Sequence, residues 1–377
     1  MRTPHLITAL AATLALAACG SGSTTSPSGA ATAAAPALAG EVAKMSQPQD
    51  AFPVPSEPIS DITSLRGRTV YYIPITQQAP SFTVTATALT EALDAAGVKT
   101  QICDGGSNPS SIAACVNQAV GARAAGIITD AIPYAMAANS LDAAQKAGVP
   151  VLIADQIPDD DHPAGDTLAY QEGAGTEMLS AVATWIVADS GGTAKIVLNA
   201  ATDSPSARAY AQAAEKVVAD SCPDCTLTVN EISSANFSLI GSQTSSAVLK
   251  TPGVGYVVSE FDQYLQPTIT GVQQSGRAAS VKGGSSAATL ASLKMLKDKN
   301  FLHVEAAQAL PFQGWTLADA VMRLALGQEV LEHEVPFRLF TGDNIGDVQL
   351  TEEAQASGEW FGPSGFQDQF RELWGVA

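Results

Sequence analysis

From Thr69 onward, short runs of apolar and β-branched residues alternate with stretches of helical spacing, and this rhythm limits the fold more than any other feature of the chain. Residues 69–73 predict a strand and 82–96 a helix stopped by Gly97, as a glycine past a helix end should do. Residues 98–103, 126–129 and 151–154 predict further strands, with helices over 109–123 and 134–147 between them. The strands at 126–129 and 151–154 do not alternate apolar with polar, which is the pattern of a parallel sheet covered on both faces. Parallel neighbours need crossover connections, and the intervening helices supply them. The pattern then repeats with strands at 167–170, 195–199, 226–232, 255–259, 279–282 and 304–308, and helices between them. The roughly 320 residues involved exceed what one core usually organises. The expected fold class is α/β, with two doubly wound parallel-sheet lobes facing each other across a cleft.

The start of the chain addresses its location. Arg2 precedes an apolar run from Leu6 to Ala18, too short for a lasting membrane span and read as a signal peptide over residues 1–18. The run ends in Leu16-Ala17-Ala18-Cys19-Gly20, which looks like a bacterial lipobox with Cys19 as the lipidated residue. An ordinary secretory cleavage site beside a cysteine is the alternative. Residues 19–58 are rich in Ser, Thr, Gly, Ala and Pro, and a flexible tether is expected there. The later sequence holds no stretch approaching the ~20 apolar residues of a membrane span.

Charge and cysteines narrow the function classes. With 19 Lys and Arg against 37 Asp and Glu, the net charge of −18 argues against nucleic acid or an anionic lipid surface as the main partner. Setting Cys19 aside, Cys103 and Cys115 flank one strand-to-helix step, and Cys222 and Cys225 form a Cys-Pro-Asp-Cys after a helix. In an oxidising exterior two local disulfides are the natural pairing. A redox Cys-x-x-Cys normally opens a helix, where the dipole lowers the thiol pKa, and zinc would need further ligands nearby. Neither arrangement is evident, and no metal or cofactor is expected. The 159–162 run Asp-Asp-Asp-His reads as a solvated loop. No Gly-x-Ser-x-Gly elbow, His-Glu-x-x-His or phosphate loop is found, and His303 and His333 have no nucleophile near them in sequence, so catalysis is not expected.

Ligands of open α/β sheets bind beyond the carboxyl ends of the strands. The residues just past those ends are Gln78, Ser81 and Phe82, then Asp130, then Asp155 and Gln156, with Arg208, Phe237, Phe261, Asp262 and Gln308 in the second half. Phe312 and Trp315 follow the last crossover. Amides, carboxylates, one Arg and several aromatic rings suit a small neutral hydroxylated ligand, with rings covering the apolar faces of a sugar. Singly, each has a bland alternative: an Asp after a strand also caps helices, and Phe82 and Phe237 can be core residues.

These segments, from about Gly67 to Gly327, resemble the sugar-binding lipoproteins of bacterial ABC importers, close to the ribose-binding type with the type I periplasmic-binding fold. The resemblance rests on Tyr72-Ile-Pro-Ile-Thr-Gln-Gln-Ala-Pro-Ser-Phe82, Ala125-Gly-Ile-Ile-Thr-Asp130, Ala147-Gly-Val-Pro-Val-Leu-Ile-Ala-Asp155, Ser204-Pro-Ser-Ala-Arg208, Ala235-Asn-Phe237, Phe261-Asp262 and Ala306-Ala-Gln308, taken in order. It implies Phe82 as a stacking wall and Asp155 bonding ligand hydroxyls. It further implies Arg208 and Phe237 approaching from the second lobe and Gln308 near the hinge. Three interlobe crossings are implied, near 169–172, near 308–310 and after about 328. The N-terminal lobe is then 59–170 with 309–335, and the C-terminal lobe 171–308 with 336–377.

Three departures bear on the ligand: Gln156 where the family often has Arg, Phe261 where it often has Asn, and no Asp at the strand end placed at 281–284. They make the site less polar, as for a polyol, a deoxy sugar or a hydroxylated aromatic. The implied role is capture of a sugar or polyol by hinge closure for an ABC permease, by a lipid-anchored monomer. Presentation of the same ligand to a signalling membrane protein is the alternative.

Overall fold

The computed structural model describes residues 38–376; the expected signal peptide, Cys19 and the first part of the tether lie outside the described residues. The N-terminal lobe is built on β1 (Thr69–Pro74), β2 (Lys99–Ile102), β3 (Gly126–Asp130), β4 (Val151–Ala154) and β5 (Leu168–Gln171). They form one parallel sheet in the order β2-β1-β3-β4-β5. Every residue of β3 and β4 is buried, which is why those strands carry no alternation. Helices α1 (Pro80–Ala95), α2 (Pro109–Gly121) and α3 (Tyr134–Lys146) make the crossovers. Asn108 opens α2 by accepting the Ser111 N–H, with Pro109 in the first turn, where its missing N–H costs nothing.

In the C-terminal lobe, α4 (Gly175–Asp189), β6 (Lys195–Ala201), α5 (Pro205–Ser221), β7 (Thr226–Ile232), α6 (Ile240–Lys250), β8 (Tyr256–Ser259), α7 (Leu265–Gln274), β9 (Lys282–Ser286), α8 (Leu290–Lys297) and β10 (Leu302–Gln308) follow in turn. Helix α9 (Leu310–Ala325) then returns to the first lobe, and β11 (Phe337–Thr341) joins the second sheet antiparallel to β10. That sheet runs β11-β10-β9-β8-β6-β7. The chain thus crosses between lobes after β5, after β10 and between α9 and β11. The two disulfides expected from spacing are present, Cys103–Cys115 and Cys222–Cys225, with Cα separations of 5.8 and 5.3 Å.

Helix α9 is the centre of the first core: residues 310–324 are all buried. Gly314 lets it lie directly on α1, since a Cβ there would stand 2.7 Å from both the Ala88 Cβ and the Leu89 nitrogen. Phe312 and Trp315 are fully buried in this packing, so neither reaches a ligand.

Three local expectations change. Strand β9 begins at Lys282 rather than near 279 and runs on to Ser286, so the Gly283-Gly284 pair expected at its end lies inside it. Glycine is needed there because the Phe301 ring occupies the space a Cβ at 283 would take.

The tether expected to 58 is packed from residue 38 on. A helical turn over 38–45 places Leu38, Val42 and Met45 on the second-lobe core. The Ser46 carbonyl then accepts from Arg338 at 2.8 Å, and Phe52 stacks on Phe312 with centroids 5.0 Å apart. Each apolar side chain of this stretch is isolated among small and polar residues, which hid their combined burial.

The third change is at the other end. Only β11 of segment 336–377 joins the second-lobe sheet. After the short α10 (Glu352–Ser357), α11 (Phe366–Trp374) lays Phe366, Phe370 and Trp374 on Phe312 and Trp315, and Arg371 pairs with Glu91 of α1 at 3.0 Å. One face of α11 carries all three large rings, four residues apart, and α9 is the aromatic surface that covers them.

Candidate ligand-binding cleft

The carboxyl ends of both sheets open onto one cavity of about 140 Å³ between the lobes. Three of its lining residues follow strands with left-handed backbone: Ala131 after β3 (φ 55°), Asp155 after β4 (φ 53°) and Ala287 after β9 (φ 64°). Side chains rarely adopt this region, and such strain persists where the surroundings over-determine it, typically at binding sites.

From the N-terminal lobe, Ser81 and Phe82 enter on the first turn of α1, and Asp155 and Gln156 follow β4. The Asp155 Oδ1 accepts from Gln313 Nε2 at 2.8 Å and more weakly from Gln308 Nε2 at 3.4 Å. Gln308 is itself fixed at the hinge, where its Oε1 accepts the Ala174 N–H at 2.7 Å. Gly173 completes this corner, because any Cβ there would occupy the place of the Asp155 carboxylate. Behind Asp155, fully buried Asp130 accepts the Tyr72 hydroxyl at 2.5 Å. Burial and the neighbouring Asp155 charge hold the Asp130 carboxyl well above the usual range.

From the C-terminal lobe come Asp203, Tyr210, Phe261, Asp262 and Tyr264. Asp203 accepts from the Ser233 hydroxyl at 2.7 Å and the Ser234 N–H at 2.8 Å, and Asp262 from Ser285 and the Thr289 N–H, each at 3.2 Å. Glu305, with no exposure to solvent, stands behind Asp262; burial and that neighbour push its carboxyl well above the usual range. Glu260 is also fully buried and raised by desolvation, with one oxygen accepting the Ala201 N–H. Each lobe therefore presents an aspartate to the cleft with a fully buried acid behind it. Tyr210, Phe261 and Tyr264 form a continuous aromatic wall: Phe261 meets Tyr210 edge-on at 6.5 Å and Tyr264 at 6.2 Å.

Of the expected site residues, Ser81, Phe82, Asp155, Gln156, Phe261, Asp262 and Gln308 line the cavity. Four do not. Gln78 is exposed, its N–H donating to the Thr76 hydroxyl. Asp130 sits behind Asp155. Arg208 is exposed, and its guanidinium donates to the Thr202 carbonyl. Phe237, on a 3-10 turn (Ser234–Leu239), is 47% exposed and tilts against Tyr264 at 6.3 Å. Sequence reasoning missed Tyr210, Tyr264 and Met178 as lining residues. Tyr210, two positions after Arg208 on α5, was available as a signal, but a helix position alone does not say which face meets the cleft. The missing carboxylate also shifts: with β9 ending at Ser286, the cleft position there is Ala287, not the 281–284 segment.

A family model described as a periplasmic binding protein domain matches residues 70–329. The chain belongs to this family. As a periplasmic binding protein it is a binder of solutes outside the cytoplasm, not an enzyme. Solved structures agree on the type I fold. The 5-methylthioribose transporter solute-binding protein of Thermotoga lettingae, in complex with 5-methylthioribose, has a TM-score of 0.70 and 12% identity over 82% of this chain and 98% of its own. An ABC transporter solute-binding protein of Agrobacterium vitis, bound with α-D-tagatopyranose, gives 0.66 and 17% over 74% and 96%. One from Bacillus halodurans with bound myo-inositol gives 0.64 and 15% over 75% and 97%. No curated protein matches the sequence.

Proposed function

We propose that this periplasmic binding protein captures a small hydroxylated ligand, a sugar or polyol, by closing its lobes, and hands it to an ABC permease. The observation carrying this reading is the cavity itself, in which carboxylates and hydroxyls at the strand ends of both lobes surround an aromatic wall from the C-terminal lobe. Acceptors and rings together suit a ring or chain with polar edges and apolar faces. The ligands held by the three neighbours, a thioribose, a ketohexose and an inositol, are of this class. Lipidation at Cys19 would keep a monomer at the membrane near its permease, with roughly 0.8 kcal/mol of anchoring per buried methylene.

A second reading, a hydroxylated aromatic ligand, is favoured by one observation: Phe261 and Ala287 replace polar groups at two cleft positions. A thermal-shift panel of sugars, polyols, hydroxylated aromatics and amino acids separates the two. A ligand at a hundred times its Kd adds about 2.7 kcal/mol, a visible shift. The main reading expects sugars or polyols to respond, with the response lost in Asp155→Asn. A response confined to aromatics transfers the assignment to the second reading, and one confined to amino acids removes both.

A further inference from the structure

The sequence suggests a neutral ligand because one basic residue, Arg208, stands among the candidate contacts. In the fold that cation is not in the cavity; it is exposed and bound to the Thr202 carbonyl. The cavity walls then carry Asp155, Asp203 and Asp262, and no Lys, Arg or His among the described residues lines it. Asp155 comes from one lobe and the other two from the opposite lobe, so the carboxylates flank the ligand space from both sides. The acids behind them add to the acceptor excess rather than relieve it, since Glu260 and Glu305 retain carboxyl oxygens with no hydrogen-bond partner.

Neutral donors also line the cavity, Ser81, Ser204, Ser234 and Gln263 among them, but none brings a positive charge. The Gln156 amide donates to the Asp155 carbonyl at 2.6 Å, and the Gln308 amide to Gln313 at 3.1 Å. The aromatic wall points the same way. Tyr210, Phe261 and Tyr264 present ring faces and edges beside Asp262, and the negative face of an aromatic ring attracts a cation. A ligand matched to such walls is rich in donors and carries positive charge. An ammonium group, with three donors and no acceptor, meets both demands, whereas each hydroxyl brings an acceptor that these walls do not need.

We infer that the hydroxylated ligand carries a protonated amino group: an amino sugar or an amino polyol, its ammonium held between Asp155, Asp262 and the Phe261–Tyr264 rings. This rests on the sugar or polyol reading and adds one group to it.

The test is calorimetric titration of the purified full-length chain with matched pairs: glucosamine and glucose, galactosamine and galactose, glucamine and sorbitol. N-acetylglucosamine serves as an uncharged amine derivative. The amino member of at least one pair is expected to bind at least tenfold tighter than its parent, and N-acetylation to abolish that advantage. Asp262→Asn should shrink the ratio between members toward one. Because Asp262 also accepts from the Thr289 N–H, the N-acetyl comparison on the unaltered chain carries the test if that variant does not fold. Parents that bind as tightly as their amines overturn this inference and leave the sugar reading in place. If no member of any pair binds, the sugar reading fails and takes this one with it.

Discussion

Asp130, Glu260 and Glu305 sit where water does not reach them, and each has its pKa raised chiefly by burial. For such a group the folded state holds a proton that the unfolded chain releases. Its contribution to stability is complete below the ordinary carboxylate range and is lost as pH rises from there through the raised value. The melting temperature of the ligand-free protein should therefore fall as pH rises from about 5 toward 8. Glu305→Gln keeps the shape of the side chain and removes the titration, so it should flatten that fall and raise the melting temperature at neutral pH. Thermal melts across this range check it; a variant with an unchanged slope means Glu305 is ionised in the fold. Asp319 has the opposite sign. Its pKa is lowered by His333, Arg323 and Trp374 despite burial, so its contribution is present above the ordinary range and lost as pH falls through the depressed value. Asp319→Asn leaves buried Arg323 without its partner at 2.7 Å and should cost about 3–5 kcal/mol in denaturant melts. How legible the site was also divides at this scale. Asp155, Gln156, Phe261 and Asp262 were found because strand ends fix position in the chain and in space together. Tyr210, Arg208 and Phe237 lie on helical turns, where a rotation about the axis decides whether a side chain meets the cleft, and spacing does not set that rotation.

Among the elements, the segment over residues 38–58 departs most from its composition. Its helical turn lies on the second-lobe core while Phe52 and the Glu57 carbonyl lie against α9, the latter accepting from Arg323. It therefore spans both lobes beside the three crossings. Phe52→Ala removes a ring that touches both Phe312 and Phe366 and should destabilise by about 3–5 kcal/mol, measured by denaturant unfolding. A cost under about 1 kcal/mol, the size of a surface change, would show that the segment rests on the body without supporting it. A soluble form starting near Gln49 would lose the helical turn and the Ser46 contacts to Arg338 and Asn344, and should melt lower than one that retains residue 38 onward. The strand and helix rhythm from Thr69 was legible because wholly buried strands such as β4 admit only apolar residues. Strand β9 was placed a few residues too early, because its glycines answer to the Phe301 ring, which is distant in any local reading.

At the scale of the whole molecule, the lobes already touch. The Ser206 hydroxyl of α5 donates to the Gln156 side chain at 3.2 Å and accepts the Ile157 N–H at 3.0 Å, joining the end of β4 to the opposite lobe. These bonds favour approach of the lobes without a ligand, and Ser206→Ala should shift the ligand-free protein toward a more open form. Hinge closure is a population shift, and a ligand that contacts both walls drives it by its preference for the closed form. The most direct measurement is small-angle scattering of the purified protein and of Ser206→Ala, each with and without the sugar or polyol that raises its melting temperature. The account predicts a larger radius of gyration for ligand-free Ser206→Ala than for the unaltered protein, and its collapse to a common smaller value when the ligand is added. Radii that ignore the ligand in both proteins would contradict capture by closure of this cleft.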